Sequence, residues 1–93
     1  MNFKKVCSAT INGKRWTVGF GIVGKNNDGL CNYDQRRIFI RANHNGRTRS
    51  LEECVIHEVA HAVFPQIEED AILHLADVAA RILVKMKNAE TQK

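Results

Sequence analysis

The apolar residues of this 93-residue chain change their spacing near Ser50. Before Ser50 they alternate with polar or small residues, which is the period of a strand with one buried face. After Ser50 they recur every three or four residues, which is the period of an amphipathic helix. We therefore predict an α+β fold, in which a small antiparallel or mixed sheet of three to four strands precedes two packed helices.

The length of the chain allows one domain with one modest core, so we predict a single domain over residues 1–93. Its sheet half is expected to span residues 1–47, and its helical half residues 50–87. The polar tail at residues 88–93 is expected to fray.

Strand-like composition or alternation appears in four segments: 6–11, 16–22, 30–33 and 37–41. Asn12-Gly13 lies just after the first of these segments and is a strong signal for a two-residue hairpin turn. In the last segment Ile38 and Ile40 are expected to face the core, while the neighbouring arginines point outward.

Two helices are predicted in the second half of the chain. Ser50 and Glu53 have the spacing of a capping box, in which each residue bonds the other's backbone amide. The first helix should stop at Pro65, because proline disfavours helical geometry in the preceding residue. The second should begin near Glu68 and bury one apolar face. The residues of that face are Ile72, Leu75, Ala76, Ala79, Ile82, Leu83 and Met86.

Composition and charge exclude several classes of protein. No apolar run reaches the roughly 18 residues that a membrane-spanning helix needs. The basic N-terminus is followed by Ser8 and Thr10 where a signal peptide would be apolar. The three cysteines are odd in number and show no CxxC spacing, which argues against a disulfide framework and a cysteine zinc site. We therefore expect a cytoplasmic protein that does not associate with membranes.

The formal net charge is +4, and five arginines lie within a short window before the first helix. They are Arg36, Arg37, Arg41, Arg47 and Arg49. Such a patch attracts acidic partners or nucleic acid. No nucleic-acid-binding motif accompanies it, so nucleic-acid binding is a secondary alternative.

The first helix carries the motif His57-Glu58-Val59-Ala60-His61. Two histidines four residues apart lie on one helix face, so both imidazoles can reach a single metal ion. Glu58 is placed where its carboxylate can take a proton from a metal-activated water and later deliver it to a leaving amine. The motif predicts zinc-dependent hydrolysis of peptide bonds, with Glu58 as general base.

A catalytic zinc site needs a third protein ligand and keeps one position open for water. The short link around Pro65 should keep the first turn of the second helix close to His61. The candidate ligands are Glu68, Glu69, Asp70, His74 and His44. The three acidic residues at this helix start also have an explanation without a metal, because they compensate the helix dipole. One of them can serve both purposes, and we favour Glu69 as the ligand.

Residues 29–40, residues 51–62 and the step Phe64-Pro65 before the second helix resemble the core of HExxH zincin peptidases. The similarity extends roughly over residues 16–83. More narrowly, the chain resembles the compact metallopeptidases encoded in bacteriophage and bacterial genomes. This resemblance implies a minimal gluzincin-like fold, in which a helix that carries a glutamate follows the histidine helix.

The resemblance implies that His57 and His61 bind zinc, that Glu58 is the base, and that Glu69 is the third ligand. The chain departs from larger gluzincins at Leu73, where these carry an aspartate four residues after the ligand glutamate. Without this aspartate, the resemblance supplies no carboxylate that would orient a histidine ligand.

The leading functional prediction is a cytoplasmic zinc metalloendopeptidase that acts on a protein or peptide, in a host cytoplasm if the chain is phage-encoded. In zincins a strand beside the cleft pairs with the substrate backbone. Strand 37–41 is predicted for this role, with Arg37 and Arg41 binding acidic substrate segments. The alternatives are a non-catalytic zinc-binding interaction module and a nucleic-acid-associated peptidase.

Overall fold

A computed structural model describes residues 3–24 and 27–92 of the chain. The strands are β1 (Phe3–Ile11), β2 (Lys14–Gly21), β3 (Gly29–Asn32) and β4 (Arg37–Ile40). The helices are α1 (Leu51–Val63) and α2 (Glu69–Thr91), and a short 3₁₀ turn (Asn43–Asn45) precedes α1. The predicted α+β fold, a mixed sheet followed by two helices, is confirmed.

The four strands form one mixed sheet in the order β1-β2-β4-β3. The β1–β2 and β3–β4 pairs are antiparallel, whereas β2 and β4 run parallel. The predicted turn at Asn12-Gly13 is confirmed. Both residues have positive φ, 51° and 77°, as a two-residue hairpin turn with the right twist requires.

Strand β4 lies inside the sheet, which contradicts the prediction that the segment 37–41 pairs with substrate. Its backbone is already paired with β2 on one side and β3 on the other. Because β4 pairs in parallel with β2, it lies between β2 and β3 in the sheet. β3 therefore occupies this end of the sheet and lies next to α1.

The main core lies between α1 and one face of the sheet. It contains Ile11, Trp16, Ile38, Ile40, Cys54 and Ala62. Ile38 and Ile40 are 0% and 2% exposed, so the prediction that they face inward is confirmed. Ile22, in contrast, lies beyond the end of β2 and is 66% exposed.

Helix α2 packs on α1 through Ile72, Ala76 and Ala80. The prediction that the whole apolar stripe is buried is wrong, because Ile82 and Met86 are 56% and 65% exposed. One reason is length: α2 has 23 residues and α1 only 13, so the C-terminal end of α2 extends beyond the N-terminus of α1. Leu75, in the first half of α2, is also 44% exposed, because the buried residues Ile72, Ala76 and Ala80 lie on a neighbouring face of the helix.

The predicted frayed tail is also corrected. Residues 88–91 belong to α2, whereas Lys93 lies outside the described residues. None of the helices in the described ranges has a stretch that is long and apolar enough to cross a membrane.

Candidate metal centre

Both ends of α1 are fixed by side chains. Ser50 Oγ accepts a hydrogen bond of 3.1 Å from the Glu53 amide at the N-terminus, as one half of the predicted capping box. The return bond is not among the hydrogen bonds of the described residues. At the C-terminus Tyr33 Oη donates to the His61 carbonyl (2.8 Å) and Asn12 Nδ2 donates to the Val63 carbonyl (2.9 Å). These carbonyls have no partner within the helix, so the two bonds fix α1 relative to the sheet.

The structure brings His57, His61 and Glu69 together at the end of α1 and the start of α2. The two Nε2 atoms are 3.2 Å apart. Glu69 Oε1 is 2.8 Å from His61 Nε2, and Glu69 Oε2 is 3.5 Å from His57 Nε2. Ligand atoms about 2.0–2.1 Å from one zinc ion at tetrahedral angles are separated by about 3.3 Å. The three side chains therefore fit one zinc ion.

Among the candidate third ligands, Glu69 is the one that the structure places next to both histidines. It is the first residue of α2, and its side chain turns back toward α1. Glu68 is the N-cap residue, and no cluster of metal-binding side chains in the described part of the chain includes it. The same is true of Asp70, His74 and His44.

The imidazole of His57 is largely buried. The residue is 9% exposed, and its Nδ1 atom has no hydrogen-bond partner among the described residues. If Nε2 is free to coordinate, Nδ1 carries the proton of the neutral ring. No carboxylate of the described residues accepts that proton, and the residue four positions after Glu69 is Leu73. Burial also lowers the pKa of His57 and so favours the neutral ring that a metal requires.

Glu58 is 7% exposed, which is unusual for a carboxylate with no described ionic partner. Burial, with a contribution from the charge of Glu69, raises its pKa from 4.5 to about 7. A carboxylate with a pKa near neutrality can both accept and release a proton at physiological pH. Burial and a pKa near 7 are both properties expected of a general base.

Gly29, the first residue of β3, provides the space that the Glu58 side chain occupies. A Cβ atom on Gly29 would lie 2.8 Å from Glu58 Oε2 and 2.9 Å from Glu58 Cγ. No local pattern around Gly29 indicates this role, because the contact joins residues that are far apart in the chain.

We expect Gly29→Ala to displace the Glu58 carboxylate and leave the metal ligands in place. The carboxylate can swing away at little cost in stability, whereas an error of about 1 Å in a catalytic group costs up to about 100-fold in rate. Peptide-cleavage assays should show this loss, while mass spectrometry shows unchanged zinc content. Gly24→Ala is a matched control, because a Cβ there meets only the Asn27 side chain. Full activity in Gly29→Ala would contradict the assignment.

The raised pKa of Glu58 predicts a pH dependence of stability in the metal-free protein. The folded state holds the Glu58 proton up to about pH 7, whereas the unfolded chain releases it near pH 4.5. The stabilisation is therefore complete at low pH and is lost as the pH rises through about 7. Relative to Glu58→Gln, the wild type should gain roughly 2 kcal/mol in free energy of unfolding on going from about pH 8 to about pH 5. Urea denaturation of both proteins measures this difference, and parallel pH profiles would refute it.

The metal-binding cluster opens into a cleft of about 520 Å³. One wall is the N-terminal part of β3, with Gly29, Leu30 and Cys31. Another wall is the loop before α1, which contains Thr48 and Arg49. Asp28, just before β3, holds this loop: its carboxylate accepts hydrogen bonds from the backbone amides of Thr48 and Arg49 and from the Thr48 hydroxyl. Burial opposes the ionisation of Asp28, but these bonds outweigh it and lower its pKa. No local pattern indicates this role of Asp28, because Thr48 lies 20 residues further along the chain.

The predicted substrate-binding arginines are not brought to the cleft. The guanidinium of Arg41 donates to the carbonyls of Gly24, Asn27 and Asn45. The guanidinium of Arg37 lies 5.0 Å from the centre of the Phe3 ring. Arg49, in contrast, lines the cleft beside the histidines. The arrangement therefore gives no support to substrate binding by Arg37 or Arg41.

The chain matches no protein-family model, and neither curated proteins nor solved structures give a significant match.

Proposed function

We propose that this protein is a zinc-dependent metallopeptidase of the compact, gluzincin-like kind that its HExxH motif resembles. The observation that carries the proposal is the cluster of His57, His61 and Glu69, whose ligand atoms have the mutual distances of a tetrahedral zinc site. The buried Glu58 beside that cluster supports a catalytic role.

Bound zinc would lower the pKa of a water molecule and polarise the scissile carbonyl group. Glu58 is held against Gly29, with its side chain lining the same cleft as the histidines. From there its carboxylate accepts the proton of the attacking water and returns it to the leaving amine. Among the described residues that line the cleft, Arg49 is the only lysine or arginine, and it would offer a guanidinium to the developing negative charge.

Strand β3 is the part of the sheet that suits an extended peptide substrate. It lies at the end of the strand order, and three of its residues line the cleft. An extended peptide that pairs with the outer side of β3 would run past Glu58 and the histidines. The proposed substrate is thus a protein or peptide whose backbone pairs with β3. Pairing with β4 is not possible, because both sides of β4 are already paired within the sheet. We place this activity in the cytoplasm.

The experiment that tests the function combines metal analysis with proteolysis. The purified, untagged full-length protein should contain about one zinc ion per chain and should cleave unfolded protein substrates. Mass spectrometry identifies the metal and the cleaved bonds. Chelation should abolish cleavage, and added zinc should restore it. Protein that binds no zinc, even in excess zinc, would overturn the proposal.

The alternative is a zinc-binding interaction module without catalysis. Such a site requires only the three ligands and has no use for a buried carboxylate beside them. Glu58 is 7% exposed and has a raised pKa, a destabilising arrangement at neutral pH that catalysis explains. Zinc binding without any cleavage would favour the module.

A further inference from the structure

The face of the sheet that points away from the helices is not covered by any element of the described ranges, 3–24 and 27–92. Ile38 and Ile40 point to the core, so the alternating residues Arg37 and Phe39 point to the opposite side. The strand register places Lys5 opposite Gly19, and Gly19 opposite Phe39. We call this surface the open face and define it by Phe3, Lys5, Arg15, Arg37 and Phe39.

Two aromatic rings meet at the centre of the open face. The rings of Phe3 on β1 and Phe39 on β4 lie 4.8 Å apart, centre to centre, in an edge arrangement. Strand β2 separates their strands, but its outward-facing residues there are Gly19 and Gly21, which have no side chains in the way. Both rings are only half-buried. The sheet thus carries an aromatic pair outside the main hydrophobic core.

The charge of the sheet is entirely positive. The chain has ten acidic residues, the first of which is Asp28, and none lies within the bounds of the four described strands. Lys5 and Arg15 are exposed, and alternation places both on the open face. The guanidinium of Arg37 lies 5.0 Å from the centre of the Phe3 ring. Cations therefore surround the aromatic pair without any carboxylate to neutralise them within the sheet.

We propose that the open face binds single-stranded nucleic acid, with bases stacked on Phe3 and Phe39 and phosphates paired with Lys5, Arg15 and Arg37. Aromatic rings on a basic surface suit unpaired bases, because every base offers a π-face and each phosphate a negative charge. A duplex hides its base faces, and an acidic peptide would use the cations but leave the rings uncovered. The site lies across the sheet from the metal centre and does not depend on the proposed peptidase activity.

Fluorescence anisotropy of a labelled oligothymidylate of about 15 nucleotides, with oligouridylate as a second arm, tests the proposal. The full-length protein should bind both with and without zinc, and binding should weaken between about 50 and 200 mM salt. Phe39→Ala should weaken affinity about tenfold through lost stacking. Arg15→Ala and Arg37→Ala should each lower the slope of log affinity against log salt by about 0.7.

Matched controls separate the open face from general charge and apolar effects. Phe64→Ala removes an exposed phenylalanine outside the sheet, and Arg81→Ala removes an exposed arginine of α2, so both should bind as the wild type does. Phe39→Leu keeps the apolar bulk and should still lose affinity, which excludes a folding defect as the cause.

Three outcomes would overturn the proposal. One is the absence of binding at low salt. The second is equal affinity of wild type, Phe39→Ala and Phe39→Leu. The third is tighter binding of a duplex, heparin or an acidic peptide than of the single strand, which would make the open face a general polyanion surface. Because zinc-free protein serves equally well, failure of the peptidase proposal leaves the binding assay fully informative.

Discussion

Glu58→Gln should reduce peptide cleavage by about 1,000-fold while zinc content stays at the wild-type level. The amide has nearly the shape of the carboxylate and fits the space above Gly29, but it cannot accept the proton of the attacking water. General bases contribute about 100- to 10,000-fold to rates, which sets the scale of the loss. Initial rates of cleavage at saturating zinc, measured beside metal analysis by mass spectrometry, give both quantities.

Glu53→Gln is the matched control for Glu58→Gln. It makes the same chemical change on α1, one turn before the motif, at a residue that does not line the cleft. Its cleavage rate should equal that of the wild type. If Glu58→Gln retained full activity, the metal site would have no need of this carboxylate and the peptidase proposal would fail.

Loss of a metal ligand is the second change with a large expected effect. His57→Ala and Glu69→Ala should each weaken zinc binding by more than about 100-fold, because loss of a mere supporting partner of a ligand already costs 10- to 100-fold. Zinc at about 1,000 times its dissociation constant should stabilise the wild type by about 4 kcal/mol, and both variants should lose most of this gain. Competition with a chromophoric chelator measures affinity, and thermal unfolding with and without zinc measures the stabilisation.

Glu68→Ala and Asp70→Ala separate ligation from charge. Both residues flank Glu69 at the start of α2, so their removal changes the net charge and the helix dipole in nearly the same way. Neither belongs to the metal-binding cluster of the described chain, so their zinc affinities should stay close to wild type. If Glu68→Ala and Glu69→Ala lost the same zinc affinity, the effect of Glu69 would come from its negative charge and not from ligation.

The parts of the site that sequence predicted are those set by local geometry. The helical repeat alone places His57 and His61 on one face, and the short link after Phe64 keeps Glu69 near them. The hairpin turn at Asn12-Gly13 follows from backbone preferences of two adjacent residues. In each of these cases the deciding interaction spans only a few residues of the chain.

The parts that sequence did not predict depend on contacts between distant segments. Alternation shows which residues of β4 face inward, but strand order is not contained in the alternation, so β4 was wrongly predicted to pair with substrate. The contact between Gly29 and Glu58 and the bond from Tyr33 to the His61 carbonyl arise only once β3 lies beside α1. Spacing likewise identified the apolar stripe of α2 but could not show that α1 is too short to cover it.

The contact of Glu58 with Gly29 joins α1 to the sheet, whereas the metal-binding cluster joins α1 to α2, so partial unfolding can break one and leave the other. His57, His61 and Glu69 belong to two consecutive helices, which can remain paired when the sheet separates from α1. The space for Glu58 exists only while β3 stays docked. We therefore expect mild denaturant to release Glu58 from its place beside Gly29 before it separates the ligands, so that metal content stays while cleavage is lost. Under the proposed function, retained metal would report that the two helices are paired, whereas cleavage would report that β3 is docked as well.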